Sequence, residues 1–544
     1  MKAEEIYKLY SQCVDYNVQK SLYETVNENE NFYIGKQWEG VNAPDLDKPV
    51  FNFLKRVVSY FISMICSDDI TINIEPFKDD ENGNTSKYCE FFTEEIYRLL
   101  ETHKIPSKFR QACRDCAVDG DAAMYTYLDA DYETHQLVKG SVFVESIDNT
   151  NILFGNPYSS EVNKQPYIIV QQRKFVDTLK REAKDLYGIS DEDIGLIVAD
   201  DDLTQTNEDT NSKLVTVLFY FWKEKGSVHY TISTKNLILK ESTDLEIANY
   251  PISYFSWDKI KNSYHGQAII TGMIPNQIAV NKLFAMCMLY TQRMGFPWTV
   301  FDRTKIGNLT NKIGQAFGTN PDVANKLIDF YKAPDFSNQI LQLIDIIVNY
   351  TRDFMGANDA SLGNVKPDNT SAIIAVQEAS AIPLAMQKNA YNQFVEDTVR
   401  NMIDIMTATY GIREVRIKTD MGYQYEMVDF SKLKDINYTL SIDVGSSSPY
   451  DETARLQTLS NIWDRQILQE AEVFVNAIPN KLLPDKEEVL KAIRGRNELM
   501  MAQQEAAIEE ENLMMQQAEA DKMMMQEQMI QEQLMQQAQQ APQM

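Results

Sequence analysis

Cys113 and Cys116, in the run ACRDCAVDGD, are the cysteines with ligand-like spacing. A zinc site would need a second such pair. The remaining cysteines (Cys13, Cys66, Cys89 and Cys287) and the four histidines (His103, His135, His229 and His265) are scattered along the chain. The pair therefore reads as small residues on a buried helix face, with a metal or redox role as the alternative. His265, beside Gly266 at a helix start, is the most suggestively placed histidine, but a lone histidine near a cap reads as structural before it reads as catalytic. Asp200, Asp201 and Asp202 could ligate a cation, yet nothing flanking them fixes a geometry, and a solvated acidic loop is the plainer reading. No GxxxxGK[ST], HExxH or GxSxG occurs, which removes a phosphate loop, a zinc protease and an α/β-hydrolase. Carboxylates are too abundant for any pair to stand out. The sequence thus supplies no catalytic residue, no metal ligand and no cofactor site, and an enzyme is disfavoured.

What remains is a polar loop held between helices. Over 336–354 apolar residues recur at Phe336, Ile340, Leu343/Ile344, Ile347, Tyr350 and Phe354, the spacing of a buried helical stripe. The segment predicts a helix of roughly 20 residues, about 30 Å long, ending at Gly356. The following residues, 357–370, hold Asn358, Asp359, Gly363, Asn364, Lys366 and Asp368 but few large apolar side chains, so they predict a mobile loop. Helical spacing resumes at Ser371 and runs through Tyr391, Phe394/Val395, Val399, Met402 and Ile405/Met406 to Thr409, with Pro383 placed to kink it. Upstream, a first long helix is expected over 268–293. Between the two long helices lies an insert with four glycines and three prolines, a small loop-rich module at the far end of an antiparallel pair. Its Arg303, Lys305 and Lys312 form a locally basic patch that could meet a partner, DNA or solvent.

At 544 residues the chain needs several substructures. Its formal net charge of −27 argues against a surface that grips a nucleic-acid backbone, although an acidic protein can surround DNA if its task is to let DNA slide. Six cysteines in a chain of this size suggest a reducing compartment. MKAEEIYKLY carries charges where a signal peptide needs an apolar run, and the apolar runs are too short or interrupted to span a bilayer.

Residues 3–30 predict one helix and FNFLKRVVSYFISMI a second. DITINIEPF predicts a strand, and 85–118 two helices broken near Pro106. Strand-like runs follow, with a short helix at 176–187 and an acidic stretch to 211. The runs from Lys213 to Trp257 alternate as one antiparallel sheet, so the fold class is α+β. Strands return over 411–449 and are expected to rejoin the earlier sheet; 450–496 is helical again. The last 48 residues hold ten methionines and thirteen glutamines, which fits either a helix packed on copies of itself or a floppy tail.

The order of these parts resembles the portal, or head-to-tail connector, proteins of tailed double-stranded DNA bacteriophages. The resemblance is carried by NFYIGKQW with PVFNFLKRVVSYFISMI, by ACRDCAVDGDAAMYTYLD, by YHGQAIITGMIPNQIAVNKLFAMCMLYTQRMGFP and by MGANDASLGNVKPDNTSAIIAVQEASAIPLAMQ. It implies a portal fold, with 1–263 and 411–449 as wing, 264–294 and 336–356 as stem, and 295–335 as clip. By the same resemblance 357–370 is a tunnel loop, 371–410 a long kinked helix, 450–500 a crown and 501–544 a tail. The implied assembly is a dodecameric ring at one capsid vertex, a channel for packaging and ejecting DNA. Its implied partners are the terminase large subunit, head–tail adaptor proteins and the major capsid protein, with no membrane. The subunit would be made in the bacterial host cytoplasm and end in the virion. Gly356, Asn358, Asp359, Gly363, Asn364, Lys366 and Asp368 would then face DNA, and Arg303, Lys305 and Lys312 a partner. A self-assembling scaffold protein without a channel is the competing reading.

Overall fold

In a computed structural model of the chain the described residues are 1–44, 46–66, 70–77, 84–133, 139–200, 213–295, 298–301, 328–331, 339–356, 382–419, 422–435, 438–444, 449–465 and 471–478, with short stretches between 483 and 535. They fall into two compact units, Met1–Ser447 and Ser448–Met544.

The first unit opens with α1 (Ala3–Gln19) and α2 (Leu22–Ile34). The single helix expected here is interrupted at Ser21, whose φ of 52° is left-handed. Then come α3 (Phe53–Ile65), β1 (Ile70–Pro76), α4 (Asn84–Thr102) and α5 (Ile105–Asp119). Asn52 caps α3 by accepting from the Lys55 N–H at 3.1 Å. Strands β2 (Asp121–Asp129), β3 (Ser141–Ile147), β4 (Ile152–Phe154) and β5 (Tyr167–Phe175) precede α6 (Val176–Asp185) and α7 (Asp191–Ile194). Next are β6 (Leu214–Glu224), β7 (Ser227–Ser233), β8 (Ile238–Asp244), β9 (Ile252–Ser256) and the short β10 (Asp258–Lys259) and β11 (Gly266–Gln267). The chain continues through α8 (Ile274–Gly295), β12 (Trp298–Phe301), β13 (Ile328–Tyr331), α9 (Gln339–Phe354) and α10 (Ala385–Thr409). It closes with β14 (Ile412–Thr419), β15 (Gly422–Asp429) and β16 (Tyr438–Val444). This is an α+β fold.

The runs from Lys213 to Trp257 do not make one sheet. β4 to β8 form a five-stranded antiparallel meander, whereas β9 leaves it to pair with β2 in a three-stranded sheet ordered β3-β2-β9. Pro251, which lacks an N–H, stands at the head of β9 where the chain changes sheets. Among the described residues the returning strands join earlier ones only through β16, which pairs with β1 from Ile70↔Val444 to Pro76↔Tyr438; β14 and β15 form their own hairpin.

Helix α10 runs through the largest core. Tyr391, Phe394, Val395, Val399, Met402 and Met406 are all buried, at the helical spacing the sequence displays. The Phe394 ring lies 6.1 Å from Phe109 and 5.7 Å from Phe255, so one side chain joins α5, β9 and α10. Full burial of a side chain of this size contributes about 1.5–3 kcal/mol, which makes α10 the spine of the unit. Pro383 sits in a 3-10 turn, Ile382–Leu384, just ahead of α10; 371–381 lie outside the described residues.

Where α5 turns into β2, two glycines pack back to back. A Cβ on Gly120, whose φ is +104°, would lie 2.6 Å from the Gly266 carbonyl oxygen, and one on Gly266 would lie 2.7 Å from that of Gly120. The buried Asp121 carboxylate then accepts from the Gly266 N–H and sits 2.6 Å from His265 Nδ1, while His265 Nε2 lies 3.1 Å from Asn17 Oδ1. His265 therefore fastens α1 and the β2 edge to the segment entering α8. Asp119, the last residue of α5, keeps Oδ1 buried without a partner among the described residues. Burial, then the charge of Asp115, pushes its carboxyl up to about 7.

The second unit contains α11 (Pro449–Asp464) and α12 (Ala471–Ala477). The Trp463 and Phe474 rings pack 4.8 Å apart, and Arg494 Nε donates to Glu472 at 2.6 Å. Residues 522–532 are helical with exposed side chains, Met523, Met524, Met525 and Met529 among them.

Gly120→Ala should cost about 3 kcal/mol of stability in chemical denaturation, since the added methyl meets backbone and the residue keeps a positive φ. Asp119→Asn should act in the opposite direction and depend on pH. An aspartate whose folded pKa is raised binds a proton that the unfolded chain has released, so its penalty on folding grows as pH rises from about 4 to 7. The variant should be more stable by on the order of 1–3 kcal/mol at pH 8, with the gain shrinking toward pH 4; thermal unfolding across that range checks it.

Candidate functional site

The site is built where α8 and α9 leave the body of the first unit. The two helices are antiparallel: Asn276, in the first turn of α8, donates to Thr351 Oγ1 near the end of α9 at 2.9 Å. Beyond their far ends β12 pairs with β13 in register Trp298↔Tyr331 to Phe301↔Ile328, so the insert between them leaves and returns at one place. Arg303, Lys305 and Lys312 lie outside the described residues.

A buried chain of amides fixes α8 at its base. Gln277 Nε2 donates to the Phe51 carbonyl at 2.9 Å and to Asn281 Oδ1 at 3.0 Å. Asn281 Nδ2 donates in turn to Gln37 Oε1 at 2.6 Å, and Gln37 Nε2 to the Phe32 carbonyl at 3.0 Å. Alongside, Asn52 Nδ2 donates to the Tyr33 carbonyl at 2.9 Å and Trp38 Nε1 to that of Pro49 at 2.8 Å. The Phe51 and Phe284 rings stack at 4.0 Å. Three of the stretches that carry the family resemblance, NFYIGKQW, PVFNFLKRV and PNQIAVN, thus meet at one point. Gln277 and Asn281 stand four residues apart, on one helix face, which is why one relay can run through both.

At the same end, just past α9, stands Gly356, whose φ is +77° and whose Cβ position would fall 3.2 Å from Pro383 Cγ. Gly356 and Pro383, which flank 357–381, are therefore side by side. Asn358, Asp359, Gly363, Asn364, Lys366 and Asp368 belong to that segment and lie outside the described residues. Gln387, in the first turn of α10, donates to Asp258 Oδ1 at 2.8 Å and ties the return point to the body.

The apolar stripe of α9 is helical as expected but not buried as expected. Ile344 and Thr351 are covered, whereas Leu343, Ile346, Tyr350 (59% exposed) and Phe354 (85% exposed) face outward. On α8, Met286 and Met288 are exposed as well. Phe336 lies outside the described residues.

Cys113 and Cys116 are buried on the inner face of α5; Cys116 Sγ lies 3.5 Å from the Phe255 carbonyl oxygen. The hydrogen bond with Cys66, then burial, pushes the Cys113 thiol up, and burial pushes up that of Cys116. Asp200 accepts the Thr216 N–H at 2.7 Å, anchoring the start of β6; Asp201 and Asp202 lie outside the described residues. The relay partners Gln37 and Asn281 are 244 positions apart, beyond any local spacing. Two amides four apart on a largely apolar helix were the signal available.

A family model described as phage P22-like portal protein matches residues 180–544. The match spans most of the chain, including β6 to β9, the α8–α9 pair, α10 and the whole second unit, and the chain belongs to this family. No curated protein matches it. Family membership assigns a phage portal role.

Asn281→Ala should cost about 2 kcal/mol, because Gln37 and Gln277 are both left with a buried unmade hydrogen bond. In a double-mutant cycle with Gln37→Ala, denaturant titration should give a coupling of about 1 kcal/mol.

Proposed function

We propose that this chain assembles, twelve copies to a ring, at one vertex of a phage capsid, and that the ring is the channel through which double-stranded DNA enters during packaging and leaves at ejection. The observation that carries this reading is the exposed apolar face of the α8–α9 pair. Leu343, Ile346, Tyr350 and Phe354 fall on one side of α9 and are 45%, 47%, 59% and 85% exposed. Clustered exposed side chains of this kind mark an interaction surface. In a closed ring each copy covers the face of its neighbour, and the helix pairs stand around the axis.

In this assignment 1–263 and 411–449 form the wing, α8 and α9 the stem, and 295–335 the clip. Residues 357–370 form the tunnel loop, 371–410 the long helix behind it, and 450–500 the crown. The meeting of Gly356 with Pro383 supports a loop that projects from one point and returns to it. Lys366 is the residue assigned to touch phosphate, with Asn358, Asp359, Asn364 and Asp368 as short polar contacts and Gly363 as a pivot. A ring with net charge −27 per copy repels a polyanion. Each phosphate neutralised by a cation would instead add salt-sensitive grip. The clip, with Arg303, Lys305 and Lys312, docks the terminase large subunit during packaging and head–tail adaptor proteins afterwards; the wing meets the major capsid protein. ATP hydrolysis belongs to the motor, and this chain is structural.

Light scattering should give a ring-sized mass for the unmodified chain and a monomer or small oligomer for Leu343→Asp combined with Tyr350→Ser. A ring of unchanged mass in that double variant would remove the assigned interface. Replacing 358–368 by a shorter Gly/Ser link should leave the ring intact and impair packaging or retention of DNA; normal packaging would remove the loop's assigned role.

A further inference from the structure

Strand β2 runs on past the end of β9, one of its two neighbours. It pairs with β3 as far as Asp129↔Ser141, but with β9 only as far as Tyr125↔Ile252. One more bond follows, from the Thr126 N–H to the Pro251 carbonyl at 2.9 Å. There the chain turns away, with the buried Tyr250 hydroxyl donating to the Gln165 carbonyl at 3.0 Å. In an antiparallel ladder, alternate residues turn both backbone groups to the same side. Leu128, two beyond Thr126, therefore presents its N–H and C=O to the side that β9 has vacated.

A cavity of about 630 Å³ lies along that edge, between β2, one face of the five-stranded sheet and the last turn of α10. Tyr125, Tyr127, Phe219 and Tyr230 give it aromatic walls, and Ile405 and Ala408 line it from α10. Two polar groups at its border are short of partners. Thr126, which borders the cavity, is fully buried, and its hydroxyl has no partner among the described residues. The Lys240 ammonium lies 4.7 Å from the Tyr230 ring centre and donates to the Tyr230 hydroxyl, with no carboxylate partner among the described residues. Three acids border the cavity, Glu145, Asp244 and Glu246; Glu145 accepts from the Tyr127 hydroxyl at 2.7 Å, and Asp244 from the Ser227 hydroxyl and the Glu246 N–H.

We propose that this cavity docks an extended segment of a partner protein, which adds to the free edge of β2 as a strand, seats an apolar side chain among the tyrosines and sets a carboxylate on Lys240. Strand addition draws its affinity from main-chain hydrogen bonds and its selectivity from pockets for alternate side chains, and a free edge beside a cavity supplies both. The volume falls within the ordinary range of ligand sites. Lys174 is paired with Glu182, so Lys240, bonded to the Tyr230 hydroxyl and without a carboxylate partner among the described residues, is the local cation open to one acidic side chain of a guest. The site is on the wing side of α10, away from the α9 face, and does not depend on that face being a subunit interface.

The test uses the full-length protein and a fluorescein-labelled, end-blocked peptide, Ile-Glu-Tyr-Glu-Ile, followed by anisotropy. Saturable binding is expected. N-methylation of the central tyrosine amide should weaken it at least tenfold, and Lys240→Gln should weaken it about tenfold. The chemical change in the first comparison is on the peptide, so it is independent of how variants fold. Equal binding of the methylated peptide, or no saturable binding at millimolar concentration, would overturn the proposal. So would 8-anilinonaphthalene-1-sulfonate that binds the cavity and resists displacement by the peptide.

Discussion

A buried amide costs free energy unless its donors find acceptors, and the rest of the molecule is arranged around one place where that cost is met. Gln277 and Asn281 are both under 3% exposed on α8, and their donors are satisfied only if Gln37 and the Phe51 carbonyl stand in one position. Rotating or sliding α8 by one residue would break the whole relay at once. The helix that leaves the body at this point is thereby held in register, and α9 is held to it through Asn276 and Thr351. Gln277 Oε1 is the one relay atom without a partner among the described residues.

The second constraint is steric. Gly120 and Gly266 approach so closely that no side chain fits on either, and the Asp121–His265–Asn17 contacts close over them. This knot lies directly before α8, so the approach to the helix is fixed as firmly as its first turns. Hydrophobic burial along α10 supplies bulk stability, while the knot and the relay supply direction. Direction is what a ring of helix pairs demands, because each copy must present the same face at the same angle to its neighbour.

Much of this was legible in the sequence, and the failures share a cause. The period of α10 was clear because Tyr391, Phe394, Val399 and Met402 are buried within the same chain. The period of α9 was equally clear, yet Tyr350 and Phe354 are exposed: periodicity reports that a face is apolar but not which molecule covers it. Alternation found the strands from Lys213 to Trp257 but not the change of sheet at Pro251, since a strand reads alike whichever neighbour it pairs with. The break at Ser21 left no local signal, because a serine in a left-handed conformation looks like any helical serine. At the site, Gly356 was visible as a helix end. Its partner Pro383 and the relay partner Gln37 were not, because such pairings are made by the fold and not by spacing.

The most direct test of the account is a cryo-electron reconstruction of the assembled particle at a resolution that traces side chains on α9 and the path of 357–370. The account predicts a closed ring with an axial hole wide enough for a duplex, the loop at its narrowest point, and Tyr350 and Phe354 covered by the adjoining copy. A particle without an axial hole, or a ring in which 357–370 points outward and the α9 face stays bare, would contradict it.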